Sequence, residues 1–162
     1  MRKGGIIFIL LSLLLTNYVF CQDVNQMPTM EEIAEGKSLA KNAEYFSLGL
    51  ENKYNENYDV AAEYFEKALE AFPEDHASMY ELSVLYMSKG LQEKGFEMIK
   101  KAVELDSTNK WYKIRLADFH KFNNEYESFI AIYDKLLEDD PNNLEYLEAY
   151  IDALLHVEKY EQ

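Results

Sequence analysis

The sequence predicts an all-α chain: a right-handed solenoid of stacked helix–turn–helix units. Three observations lead there. Gly and Pro are scarce, 6 and 3 of 162 residues, about half the usual share, which argues against turn-rich β architectures. Apolar residues make up 48% of the chain, too many for wholesale disorder. The chain also matches itself at a stride of 34 residues, from Pro73 through Ser107 to Pro141, and self-similarity at such a period marks a repeat architecture.

The N-terminus reads as an address. Arg2 and Lys3 precede an apolar run from Ile6 to Leu15, broken only by Ser12, and a short polar stretch ends at Cys21. A basic start, a short apolar core and a small residue describe a secretory signal peptide. Residues 1–21 are therefore expected to be a cleavable signal. The run is too short for a comfortable transmembrane helix; an uncleaved anchor or chance hydrophobicity are the alternatives. Cleavage after Cys21 leaves Gln22 as the new N-terminus. Lipidation of Cys21 is a second reading, weakened by the bulky Phe20 before it. Residues 22–41 are expected to be a lead-in helix or a linker. Thr29 and Glu32 have the spacing of a capping box, which favours a helix from about Met30.

The array is expected over 42–162, as units 42–75, 76–109 and 110–143 with a partial fourth at 144–162. Leu48, Leu82, Leu116 and Tyr150 form one column. Gly49, Ser83 and Ala117 form a column of small residues, where a second helix can approach closely. Phe65, Ile99 and Tyr133 form a column of large ones that fill the seam between units. Ala68, Ala102 and Leu136 make a further column. Asn55 to Asn57, Lys89-Gly90 and Asn123-Asn124 mark turns within units. Pro73, Ser107 and Pro141 sit in turns between them. Leu144 to Val157 takes the place of a fourth first helix, and Tyr160 then opens a second. That last segment is apolar on more than one face, and solenoid ends carry a polar cap, so the chain is expected either to be the front of a longer array or to end in a face that pairs with another protein or another copy.

These columns resemble the tetratricopeptide repeat, a helix–turn–helix unit whose pattern runs Trp, Leu-Gly, Tyr, Ala, an aromatic and Pro. The first unit offers Tyr45, Leu48-Gly49, Ala61, Phe65, Ala68 and Pro73, with Asn52 departing where Tyr is usual. The second offers Met79, Leu82-Ser83, Tyr86, Gly95, Ile99 and Ala102. The third offers Lys113, Leu116-Ala117, His120, Phe129, Tyr133, Leu136 and Pro141. The resemblance implies a non-catalytic scaffold that binds protein or peptide on the concave face of the first helices. Together with the leader it suggests an exported bacterial member, in the periplasm or cell envelope or secreted. The alternative is a component of a cell-envelope or secretion assembly, lipid-anchored through Cys21 or held by an uncleaved N-terminus.

Helical spacing selects the groove-facing residues. The candidate partner site is Phe46 and Leu50 in the first unit, Tyr80, Val84 and Met87 in the second, and Trp111, Ile114, Arg115, Lys121 and Phe122 in the third. Arg115 and Lys121 are expected to offer positive charge to a ligand carboxylate. Family members that bind chaperones clamp a C-terminal carboxylate with Lys and Asn; here Phe46, Leu50 and Glu81 stand in those places, and Arg115 alone fits. No catalytic constellation, cofactor motif or metal spacing is present. His120 falls in a core column. A net charge of −14, from 16 basic and 30 acidic side chains, excludes phosphate-backbone binding as the role, since that affinity comes from Lys and Arg.

Overall fold

A computed structural model describes residues 29–160, with side chains through Glu158. The leader, Cys21 and the last two residues lie outside the described residues. The chain divides into two compact units, residues 1–37 and 38–162. Among the described residues there are seven helices and no strand. They are α1 (Met30–Tyr54), α2 (Tyr58–Ala71), α3 (His76–Ser88), α4 (Gln92–Leu105), α5 (Lys110–Phe122), α6 (Tyr126–Asp139) and α7 (Leu144–Tyr160).

Helix starts follow the stride. Asp75 accepts hydrogen bonds from the amides of Ala77 (3.1 Å) and Ser78 (3.3 Å). Asn109 accepts from Trp111 N (3.0 Å), and Asn143 from Tyr146 N (3.2 Å). A short polar side chain at this position satisfies amides that the first turn leaves orphaned. One stride earlier the residue is Lys41, which cannot cap, and α1 runs straight through it. The helix starts instead at Thr29, whose Oγ1 accepts from Glu32 N (3.1 Å) while the Glu32 carboxylate accepts from Thr29 N (2.6 Å). Within the larger unit, Asn42 Nδ2 donates to Ala68 O (3.1 Å) and to Asp75 Oδ2 (2.8 Å). It thereby ties the middle of α1 to the end of α2.

Turns within units repeat as closely. Glu56, Gly90 and Asn124 have φ of 62°, 75° and 60°. Their amides donate to the carbonyls of Lys53, Met87 and Lys121, each at 3.1 Å, and the next residues, Asn57, Leu91 and Glu125, donate to Asn52, Tyr86 and His120 at 2.8–2.9 Å. This double bond pattern is the Schellman motif, whose left-handed residue is most often Gly and sometimes Asn. Glu56 is the exception among the three.

The core is a chain of clusters, each bridging successive units. Ala61 and Phe65 meet Leu82 and Leu85. Met79 and Ile99 meet Tyr112 and Phe119. Ala117 and Phe129 meet Tyr146 and Ala153. A single helix pair has no core of its own, so neighbours supply it.

The C-terminus departs from expectation. The helix does not turn after Val157 for Tyr160 to open a second one; α7 continues through Tyr160. The sequence there, Val157-Glu158-Lys159, lacks the Asn or Gly that flanks or fills the left-handed position in the other units. His120 is also not a full core residue. It is partly buried, with Nδ1 at 2.5 Å from the Glu125 carboxylate and its ring edge-on to Phe96, because it sits at the turn end of α5.

A left-handed non-Gly residue costs roughly 1–2 kcal/mol. Glu56→Gly should therefore raise stability by about 1 kcal/mol in denaturant titration, with the entropy of Gly keeping the gain at the low end. A loss would show that Glu56 makes a compensating contact.

Candidate protein-binding face

The first helices expose one face, and the structure grades the candidate residues along it. Phe46 packs against the first cluster, its ring 5.6 Å from Phe65. Leu50 is exposed. Tyr80 and Met87 are half-buried against the second cluster, and Tyr80 stacks on Tyr112 at 5.2 Å. Val84 is half-buried, and Ile114 lies against the third cluster. Trp111 and Phe122 project furthest, at 59% and 55% exposed. They stand at opposite ends of α5, about 16 Å apart at 1.5 Å per residue. The candidates thus form a track along the face, not a single pocket.

Phe122 has neighbours that periodicity alone did not select. It lines a shallow depression with Gly90, Leu91 and Lys94, and Leu91 is itself exposed. Leu91 lies in a turn, outside any helical stripe, so the signal that found Phe122 could not find it. Trp111 is held at the start of α5 by the Asn109 cap on its own amide, with Lys110 Nζ 5.2 Å from its ring centroid.

The electrostatics correct the expectation of two available cations. Arg115 Nη1 lies 3.2 Å from Asp118 Oδ2, and Lys121 Nζ lies 3.1 Å from Asp152 Oδ2. Lys53 and Glu81 pair in the same way at 2.5 Å between α1 and α3. Carboxylates on the same face therefore already balance the charge offered there. Arg115 Nε is buried without a hydrogen-bond partner among the described residues. Burial is the largest influence on Asp118 and pushes its carboxyl above the ordinary range, against the pull of Arg115 and Lys121. Among the described residues no group of His, Cys, Asp or Glu could hold a metal ion, and no helix is long and apolar enough to cross a membrane.

Repeated helix pairs with capped starts and Schellman stops define the class, a solenoid that offers an open face. A family model described as "Tetratricopeptide repeat" matches residues 46–110, and the described helices have the fold of that repeat. Over 115 residues the chain is 27% identical to "Tetratricopeptide repeat protein 21A" of Mus musculus, covering 71% of this chain and 9% of that one. Over 129 residues it is 26% identical to "Hsp70-Hsp90 organizing protein 2" of Arabidopsis thaliana, covering 74% and 23%. The chain thus spans only a small part of these curated relatives. Among solved structures, "First TPR of Spaghetti (RPAP3) bound to HSP90 peptide SRMEEVD" superposes with a TM-score of 0.67 at 18% identity, covering 74% of this chain and 94% of that one. "Crystal structure of MamA protein" does so with 0.65 at 20% identity, covering 72% and 64%. At these identities the likeness is one of fold.

The raised Asp118 carboxyl sets a sign for pH dependence. The folded chain holds this proton more tightly than the unfolded chain. Stability therefore falls as pH rises from the ordinary Asp value of about 4 through the raised folded value. Asp118→Asn should remove that fall, so its melting temperature relative to the parent should climb across that window and then level off. A relative loss over the same window would show that the ion pair with Arg115 outweighs burial.

Proposed function

We propose that the chain is a non-catalytic scaffold that works outside the cytoplasm and binds a protein or peptide along the first-helix face. The observation that carries the binding site is the track from half-buried Tyr80 and Ile114 to the exposed Trp111 and Phe122. Trp111 and Phe122 remain more than half exposed, as does Tyr54 at the end of α1, while Phe65, Tyr112, Phe119, Phe129, Tyr133 and Tyr146 are buried. Trp and Tyr are enriched among residues that dominate binding energy, and contiguous apolar surface marks interaction sites. Solved relatives in complex with HSP90 or Hsp70 partners support a peptide ligand for this fold. The chemistry of the ligand differs, because Phe46, Leu50 and Glu81 occupy positions where a carboxylate clamp needs Lys or Asn. An extended, mainly apolar segment suits this track better than a C-terminal carboxylate.

Export rests on the leader: Arg2 and Lys3, the apolar run Ile6 to Leu15, and the absence of any acid before Asp23. The bacterial assignment, and the alternative role in a cell-envelope or secretion assembly, rest on the same segment and on Cys21.

Both halves of the proposal have a direct experiment. Peptides selected by display on the chain should bind Trp111→Ala about 30-fold more weakly, the equivalent of a 2 kcal/mol hot spot, with helix content unchanged by circular dichroism. Unchanged affinity would move the site off this face, and unfolding would place Trp111 in the core. Mass spectrometry of the protein recovered from its native host should find the N-terminus at or near Gln22. Intact Met1 would refute cleavage, and a lipid on Cys21 would favour the anchored alternative.

A further inference from the structure

Among the described residues, ion pairs tie successive first helices together at two of their three junctions. Lys53 on α1 reaches Glu81 on α3 at 2.5 Å, and Lys121 on α5 reaches Asp152 on α7 at 3.1 Å. Lys53 and Lys121 occupy the same place two strides apart, and the residue midway between them is Met87. On α5 the places of Glu81 and Asp152 are taken by Arg115 and Asp118. Met87 brings no charge to reach across the middle junction. Arg115 and Asp118 pair instead with each other along one helix, Nη1 3.2 Å from Oδ2.

The pair sets a donor and an acceptor side by side on the helix that also carries Trp111, Ile114 and Phe122. Asp118 Oδ1 accepts no hydrogen bond among the described residues. Arg115 donates only to Asp118 Oδ2 there, although a guanidinium carries five N–H groups. Its Nε is buried without a partner, and the two side chains are 27% and 40% exposed. In partly dry surroundings a hydrogen bond left unmade costs more than in water. A ligand cation would compete with Arg115 for Asp118, and a ligand carboxylate would compete with Asp118 for Arg115. A neutral group that both donates and accepts competes with neither. The main chain of an extended peptide is such a group, because the N–H and C=O of one residue point to the same side, as they do in a β-ladder. A helical ligand spends both on its own bonds.

We propose that Arg115 and Asp118 grip the main chain of an extended peptide, whose N–H donates to Asp118 while the C=O of the same residue accepts from Arg115. This grip rests on the reading of the track as a peptide site. It adds Asp118 to the binding residues and fixes the register of the ligand without reading its side chains. It also gives Met87 a role, since an uncharged residue there leaves the pair without a cross-helix tie.

The test uses the full chain and the tightest peptide that display selects on it, resynthesised as a series in which each main-chain amide in turn becomes an ester. An ester keeps the shape and loses the N–H. Fluorescence anisotropy should find one position where the ester weakens binding by about tenfold, the scale of a hydrogen bond to a charged group. On Asp118→Ala the all-amide peptide should bind about tenfold more weakly, and that same ester should cost nothing further. Met87→Lys should act in the same way, because a lysine there would tie Asp118 as Lys121 ties Asp152. It keeps the side-chain length at a half-buried site, so it carries the test if Asp118→Ala loses helix content. Equal ester effects on the parent and on both variants would overturn the proposal. So would a bound peptide that is helical by circular dichroism, or a flat ester series with the loss confined to a ligand Asn or Gln side chain. Trp111→Ala separates the two readings. A peptide weakened by it but indifferent to the ester cycle leaves the track standing and removes the grip, and a peptide indifferent to both removes both.

Discussion

Close approach of helices at small residues is the constraint on which the rest of this structure depends. A Cβ on Gly49 would sit 2.6 Å from the buried ring of Phe65, and one on Gly95 would sit 2.7 Å from Phe119 and 3.0 Å from the carbonyl of Ser83. Ser83, Ala117 and Ala61 are completely buried. These contacts leave no room for side chains, so helix axes draw together and large residues fill what remains. Interiors packed at this density resist even single added carbon atoms. The second helices end up wedged between first helices, and each core cluster is shared by two units.

That arrangement also creates the surfaces. Once one stripe of each first helix is given to the small column and the Leu column beside it, the residues on the other side face outward by geometry alone. Packing then consumes part of them: Phe46, Tyr80, Met87 and Ile114 are drawn toward the core, leaving Trp111 and Phe122 as the projecting ends of the track. Ion pairs between successive first helices, Lys53 with Glu81 and Lys121 with Asp152, tie neighbouring units across the same face. Their charges are shared within the array before any ligand arrives. At α7 the small column carries Ile151, and the stripe of Leu144, Leu147, Ile151 and Leu155 is edged by Glu145, Glu148 and Asp152.

Much of the fold was legible in the sequence because a repeat states each rule several times. Gly49, Ser83 and Ala117 together identify a close contact that none of them would alone, and Asn123-Asn124 and Lys89-Gly90 announce their turns. Glu56 was harder, since Glu rarely adopts the left-handed conformation; only its place between Asn55 and Asn57, one stride before Gly90, marks it. The continuity of α1 through Lys41 follows from the missing cap, a negative signal. The course of α7 through Tyr160 was misread because a column match at Tyr160 outweighed the absence of turn residues before it. In the binding face, periodicity gave the outward residues but not the pairing of Arg115 and Lys121. Those partners, Asp118 and Asp152, depend on side-chain reach within and between helices. Leu91 escaped because turn residues have no period.

The close approach can be measured directly by a double-mutant cycle at Gly49 and Phe65, read as unfolding free energy in denaturant. In the parent, Gly49→Ala should destabilise the array, because the new methyl group meets the Phe65 ring. In a Phe65→Leu background the ring is gone. The same change should then be neutral or stabilising by up to about 1 kcal/mol, the helix preference of Ala over Gly. A change of sign between the two backgrounds is the predicted result. Additive effects, with Gly49→Ala equally harmful in both, would contradict the claim that contact between this glycine and this ring sets the helix spacing.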